Sequence, residues 1–336
     1  MQIYVGPAGV PISCPKKDTI SGIKCVYNLG LNLMEIQFVR GVKMREDVAE
    51  QIAKISQELG IRLTIHAPYY INLASDDSNI VERSIKEWIY ESVKLASLMG
   101  AKCVVFHPAA YGEKSPEETY RIVRNNVMRV LDLTSDFENV YLCPETTGKG
   151  GQFGSFEEII KLVEEIDHLR LIPCIDFAHI HARTGGTLKT TNEFIAILDR
   201  YYKFISRRPI KIIHIHFSCI EYTEKGERAH LALEARDPAF ENLAEALKNF
   251  KFDEVQIVSE SPILEQDALL MRNILVNMGL MKPIVIEKPI EIVKKVIKKV
   301  PRKALKAKRV KLKGKRRRKS KKSARKKKAK EETGSK

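Results

Sequence analysis

No apolar run in this 336-residue chain is long enough to cross a membrane, and no two of its six cysteines stand as a CxxC pair. The first absence, with no recognisable signal peptide, makes the cytoplasm the expected location and a membrane an unexpected partner. The second removes the usual spacing of a thiolate metal site or a dithiol redox centre. Cys103, Cys143 and Cys174 instead lie inside apolar stretches, where a thiol acts as a small buried hydrophobe. Acidic residues are scarce at one end only. Residues 281–336 hold 26 Lys and Arg against four Asp and Glu, a net of +22, whereas the whole chain carries +16, so residues 1–280 carry −6. The basic character therefore belongs to the tail. Residues 313–330 are almost pure Lys, Arg, Ser and Ala and cannot bury enough apolar surface to fold alone. The expectation for 281–336 is a disordered basic extension with one short amphipathic helix at 290–300, ended by Pro301. Such a tail binds nucleic acid through phosphate neutralisation, with steep salt dependence and little sequence preference.

Residues 1–280 alternate between strand and helix signals. Short Ile/Val-rich runs at 2–5, 33–39, 62–66, 102–107, 140–145, 169–176, 210–217 and 254–259 read as strands buried on both faces. Between them lie helical patterns. Residues 80–99 place Ile85, Trp88, Ile89, Val93 and Ala96 near a 3.6-residue period. Ser115-Pro116-Glu117-Glu118 and Ser155-Phe156-Glu157-Glu158 each open a helix with an N-cap and acids in the first turn. Eight such units predict an α/β fold, a (β/α)₈ TIM barrel, whose active site belongs at the C-terminal mouth of the strands. A doubly wound open sheet ranks second, because it would not bring the ends of strands three to eight to one point.

The ends of those strands carry the functional signal. His66, His107, Glu145, Asp176, His216 and Glu260 each close or directly follow a strand, from the third to the eighth. Singly, a histidine there is more often a hydrogen-bonded structural residue than a ligand. Six on one rim predict a ring of donors around a shared cavity. Imidazole and carboxylate suit ions of the zinc class, with manganese an alternative, and neighbouring ions need a bridging carboxylate. Glu145, midway round the ring, is placed to bridge. The expected division is His66, His107 and Glu145 on one ion and Glu145, Asp176, His216 and Glu260 on a second. His179 would serve a third with Glu227 and His230. His214 shares a face with His216 but sits deeper and is held in reserve; His181 reads as a surface or loop residue. Clustered divalent ions of this kind suit phosphodiester hydrolysis.

These residues resemble the endonuclease IV family of apurinic/apyrimidinic endonucleases. The resemblance covers roughly residues 1–280 and rests on HAPYYINLAS (66–75), FHPAAYGE (106–113), PETTGKGGQFG (144–154), CIDFAHIHARTGG (174–186), HIHFS (214–218) and SESP (259–262). It implies a DNA repair enzyme with a trinuclear zinc site, acting on double-stranded DNA; for this chain two or three zinc ions and a monomer are expected. The reaction implied is cleavage 5′ to an abasic site, leaving a 3′-hydroxyl. It also implies that an aromatic just after the first ligand histidine enters the minor groove, a role open here to Tyr69 and Tyr70. Arg40 is a further candidate for a backbone contact. Three features depart from the family. An Asp-x-His pair is replaced by Glu227-Arg228-Ala229-His230, the glycine-rich stretch after Glu145 is one residue shorter, and the barrel is acidic.

Two other readings compete. A xylose-isomerase-like sugar isomerase or epimerase shares the barrel and a Glu/Asp/His/Glu donor set. A non-catalytic nucleic-acid-binding barrel would keep the tail without the chemistry. Fold alone does not separate them. The His66/His107 pair and the tyrosines favour the nuclease.

Overall fold

The computed structural model describes residues 1–286 and 288–292. Of the expected extension at 281–336, residues 281–286 and 288–292 are described, and the expected helix at 290–300 lies outside them save for 290–292, which carry no helix. Eight parallel strands form the barrel: β1 (Gln2–Pro7), β2 (Leu33–Gln37), β3 (Arg62–His66), β4 (Cys103–Phe106), β5 (Tyr141–Pro144), β6 (Cys174–Asp176), β7 (Ile212–Phe217) and β8 (Glu254–Ser259). Strands β2 to β5 pair in sequence, and β6, β7, β8 and β1 do the same. Parallel bridges Ala8–Glu35 and Glu145–Cys174 join the two halves, so no edge is left open. This is a TIM barrel. Helices on the outside bury both faces of the strands; every residue of β7 is buried.

The helix signals hold locally. Ser115 caps Pro116–Leu133 by accepting from the Glu118 amide, and Ser155 and Glu158 form a reciprocal capping box on Phe156–Ile166. The 80–99 pattern is interrupted by a π-turn at Ser84–Ile89 between Ser78–Arg83 and Tyr90–Met99. Its cause is visible in Ser84. This hydroxyl donates to the Ile80 carbonyl at 2.7 Å and accepts from the Asn72 amide at 3.0 Å, tying the loop after β3 into the helix. Among the described residues no helix is long and apolar enough to cross a membrane.

Two features were not legible in the sequence. The compact unit runs Met1–Ile292, and Asn28 exchanges two 2.8 Å hydrogen bonds with the backbone of Ile290, holding the chain past Leu280 against the helix Thr19–Asn28. Cys14, in the loop after β1, forms a disulfide with Cys25 in that helix, 11 residues on. Closing so short a loop in the unfolded chain is worth about 3 kcal/mol. Reduction, or the double change Cys14→Ser and Cys25→Ser, should lower the melting temperature by about 5 °C. A melting curve indifferent to reductant would show that the bridge does not form.

Candidate metal centre

All nine expected ligand residues reach the mouth of the barrel, in three donor sets whose ligating atoms lie within 4.8 Å of one another: His66, His107 and Glu145; Glu145, Asp176, His216 and Glu260; and His179, Glu227 and His230. The strand ends place the first two sets, since a side chain at the last inward position of each strand points into the mouth. Glu145, fully buried, belongs to both. Its Oε2 lies 3.2 Å from His66 Nε2 and 3.1 Å from His107 Nε2, while its Oε1 lies 3.1 Å from His216 Nδ1. Glu260 Oε1 approaches the same His216 nitrogen at 3.3 Å.

The outer nitrogens of the histidines are fixed from behind. His66 Nδ1 lies 2.7 Å from the Ala67 carbonyl and His179 Nδ1 lies 2.9 Å from the Thr146 carbonyl. Ring nitrogens that donate to those carbonyls leave both Nε2 atoms free to act as ligands. His230 Nδ1 is held by the Ser218 hydroxyl at 2.7 Å, which sets its Nε2 towards Glu227.

The third set depends on a β-bulge. In a regular strand Glu227 and His230, three apart, would face opposite sides. In the hairpin Cys219–Thr223/Gly226–Leu231, Tyr222 pairs with Glu227 and Glu221 with Ala229, which leaves Arg228 as an extra residue. The register then returns His230, opposite Ile220, to the face that carries Glu227. Two glycines bring that face close. A Cβ on Gly226 would sit 2.2 Å from the Gly148 carbonyl oxygen, and one on Gly148 would sit 2.7 Å from Glu227 Cβ and 3.0 Å from His179 Cδ2. The longer glutamate, the bulge and the glycine pair together meet the altered spacing.

The charges of the cluster suit a bound cation. Burial alone would push the Glu145 carboxyl up, yet the His216 and His107 imidazoles hold it well below the ordinary range. Burial would depress His216 and His179, yet Cys174 with Glu35, Glu260 and Glu145 raises the first, and Asp176, Glu145 and Glu227 raise the second, well above the usual imidazole value. Asp176 is relieved only in part: burial pushes it up, His179 pulls it back, and Glu260 and Glu145 raise it again, to about 6. Its Oδ1 accepts from the His179 amide at 2.7 Å, and its buried Oδ2 has no hydrogen-bond partner. His179 Nδ1 is 3.5 Å from that oxygen but is directed at Thr146. An orphaned carboxylate oxygen among nitrogen and oxygen donors fits a divalent ion.

Tyr69 packs at a tilt against the first set, 4.8 Å from the His66 ring centre and edge-on 5.6 Å from that of His107, and is 49 % exposed. Tyr70 leans on Trp88 and is 56 % exposed. Arg40 is exposed in the turn after β2. Over the donors opens a cavity of about 380 Å³, lined among others by Tyr69, Lys149, Gln152, Glu227 and Glu260.

Residues 23–274 match the family described as xylose isomerase-like TIM barrel. The chain belongs to that family. Its relatives include an uncharacterized protein of Methanocaldococcus jannaschii, 39 % identical over 81 % of this chain and 96 % of the relative. A probable endonuclease 4 of Mycoplasma mobile is 30 % identical over 65 % of this chain and 75 % of its own length. Among solved structures, endonuclease IV from Thermus thermophilus superposes with a TM-score of 0.59 at 22 % identity, over 81 % of this chain and 99 % of its own. A D-tagatose 3-epimerase-like protein gives 0.63 at 17 %, over 82 % and 96 %. Both likenesses show the shared barrel.

Several residues of this family member were misplaced or passed over in the sequence. His181, expected at the surface or in a loop, is fully buried in the helix Phe177–Arg183. Its Nε2 meets Asp237 at 3.0 Å and its Nδ1 accepts from the Leu188 amide at 3.1 Å, partners that no local pattern reveals. Arg183 donates to the carbonyls of Lys149 at 2.9 Å and Gln152 at 2.8 Å and so shapes the glycine-rich loop beside the cavity. Glu35 lies beneath the donor ring, with His214 one layer below His216. An acid in the middle of a strand otherwise reading Leu-Met-Ile is the signal that could have found it.

Proposed function

We propose that this chain is a metal-dependent DNA repair endonuclease that hydrolyses the phosphodiester 5′ to an abasic deoxyribose and leaves a 3′-hydroxyl. The observation that carries the reading is the division of Glu145 between two donor sets, with a third set and an open cavity directly beside them. His66, His107 and Glu145 would hold one zinc-class ion, Glu145, Asp176, His216 and Glu260 a second, and His179, Glu227 and His230 a third. When bound, such ions supply Lewis-acid chemistry, making water a nucleophile near neutral pH and offsetting charge on a phosphoryl group. The protein's own part is positional. Glu145 fixes the spacing of the two main sets, Lys149 offers a cation at the cavity wall, and Tyr69 and Tyr70 present apolar faces suited to a gap in a duplex. The endonuclease 4 relative supports a nucleic-acid substrate.

A sugar epimerase is the second reading, supported by the epimerase-like fold neighbour and by the Glu145, Asp176, His216, Glu260 set alone. The exposed tyrosine pair and the third set speak against a narrow polyol pocket. Duplex DNA carrying one tetrahydrofuran abasic analogue decides the matter. The expected product is a nick on the 5′ side that a polymerase can extend, lost after prolonged treatment with a zinc chelator. Turnover of a keto sugar by the metal-loaded protein, with no nick, would overturn the proposal.

The basic tail is assigned to non-specific phosphate binding. Because 281–292 belong to the compact unit, the informative truncation removes 293–336. It should weaken binding to undamaged duplex at low salt by about 10²-fold or more and flatten the salt dependence, while cleavage at saturating substrate persists. A salt slope equal to that of the full chain would separate the tail from DNA.

A further inference from the structure

Glu35 stands at the centre of β2, wholly buried, where its neighbours Leu33, Met34 and Ile36 are apolar. It faces the interior of the barrel together with Thr64, His214 and Gln256, all of them inaccessible to solvent. Its Oε2 lies 3.2 Å from His216 Nε2 and 3.3 Å from His214 Nε2, and accepts from the Thr64 hydroxyl at 3.0 Å. Its Oε1 accepts from the Gln37 amide at 2.9 Å. The opposite nitrogen of His216 is the one that meets Glu145 and Glu260. His216 is thus strung between a carboxylate below and the donor set above.

The other histidines are held differently. His66 and His179 rest on backbone carbonyls and His230 on a hydroxyl. Among the described residues His216 is the ligand candidate braced from behind by a side-chain carboxylate. A carboxylate behind an imidazole fixes the tautomer, sets the ring plane and makes the ligating nitrogen more basic. The brace is itself anchored: His214 Nδ1 lies 2.9 Å from Gln256 Oε1, and Gln256 donates to Glu254, which pairs with Arg62 at 2.8 Å. This hydrogen-bonded column runs from the mouth towards the barrel floor. A buried carboxylate is costly where a valine or leucine would pack, so the fold alone gives no reason for it.

We infer that Glu35 is a positioning residue that holds His216 with its outer nitrogen free, and that it makes the Glu145, Asp176, His216, Glu260 set the tightest metal site of the three. The inference rests on the metal-dependent reading above. It adds an order of filling and the residue that sets it.

The test is metal titration of the full chain, stripped and then reloaded with zinc against a competing chelator, and in parallel with cobalt(II) followed by its visible absorption. In the wild type the first equivalent should bind at least about 10-fold more tightly than the later ones. Glu35→Gln should cost that first equivalent about 10- to 100-fold in affinity and shift its cobalt spectrum, leaving later equivalents as they were. The metal-free Glu35→Gln protein should melt below the wild type, because the carboxylate pairs with the His214 and His216 imidazoles, and its metal-induced gain should shrink as well. A purely structural residue would lower the metal-free melting point and leave the gain unchanged. Glu35→Asp keeps the charge but withdraws it from His216, and must show the same loss of first-site affinity even where the glutamine variant does not fold. Wild-type-like titration of either folded variant overturns the inference and leaves the endonuclease reading standing. A wild type that binds no zinc or cobalt overturns both.

Discussion

Alanine at position 145 is expected to abolish abasic-site cleavage, by about 10³-fold or more in kcat, without unfolding the barrel. The reason lies in how the two oxygens of Glu145 are shared. One faces His66 and His107, the other faces His216, so a single truncation takes an anionic donor from two sets at once. Loss of an outer residue such as Glu227, itself partly exposed, takes a donor from one set only and should cost less. The fold should tolerate the change, because Glu145 lies beyond the last residue of β5 and the backbone bonds from Glu145 to Phe106 and from Thr146 to Cys174 remain available. Two measurements check this: a nicking assay on the tetrahydrofuran duplex, and a metal titration in which more than one equivalent should be weakened. Wild-type nicking by Glu145→Ala would take this residue out of the mechanism, whatever the geometry.

How much of this could be read from sequence follows from how local each cause is. The eight strands were legible because Ile and Val runs between capped helices leave few alternatives, and the ring was legible because each donor ends its strand. His216 was preferred to His214 because, on the same face, it lies nearer the strand end, and the structure places His216 against Glu145 and Glu260 and His214 one layer deeper. What escaped depends on partners far along the chain. Glu35 acquires meaning only from His216, 181 residues away, and His181 only from Asp237, 56 residues away. The spacing of Glu227 and His230 read as a departure from the family's Asp-x-His pair; the extra residue Arg228 that accommodates it is a property of pairing and leaves no mark in composition. The Cys14–Cys25 bridge likewise follows no spacing rule.

Removal of metal should produce the second large effect, and its pH dependence has a definite sign. In the metal-free protein the carboxyl of Asp176 is raised from 3.8 to about 6. The folded chain therefore holds this proton more tightly than the unfolded chain, and stability falls as pH climbs from about 4 through 6, by about 3 kcal/mol in all. His66, His179 and His216 are raised above the ordinary imidazole range, so the stability they contribute as imidazolium is present below pH 6.5 and fades as pH rises through their folded values. Glu145 and Glu260 are lowered, Glu260 to about 2, and their contribution is lost only on the acid side, as pH falls below about 4 towards those values. The stripped protein should accordingly be most stable near pH 4.5, weaken as Asp176 ionises and weaken further towards pH 8. Cations reverse that slope, because they replace the same protons: ligation needs neutral imidazole and ionised carboxyl, so binding tightens as protons leave. The gap between metal-loaded and stripped melting temperatures should widen from pH 5.5 to pH 8.0 and reach about 10 °C or more at the higher value with micromolar free zinc. Calorimetric titration at pH 7 in buffers of different ionisation enthalpy should show more than one proton released on loading. A gap that narrows with rising pH, or loading that releases no protons, would mean that the imidazoles and carboxylates of this mouth pair with one another instead of holding ions.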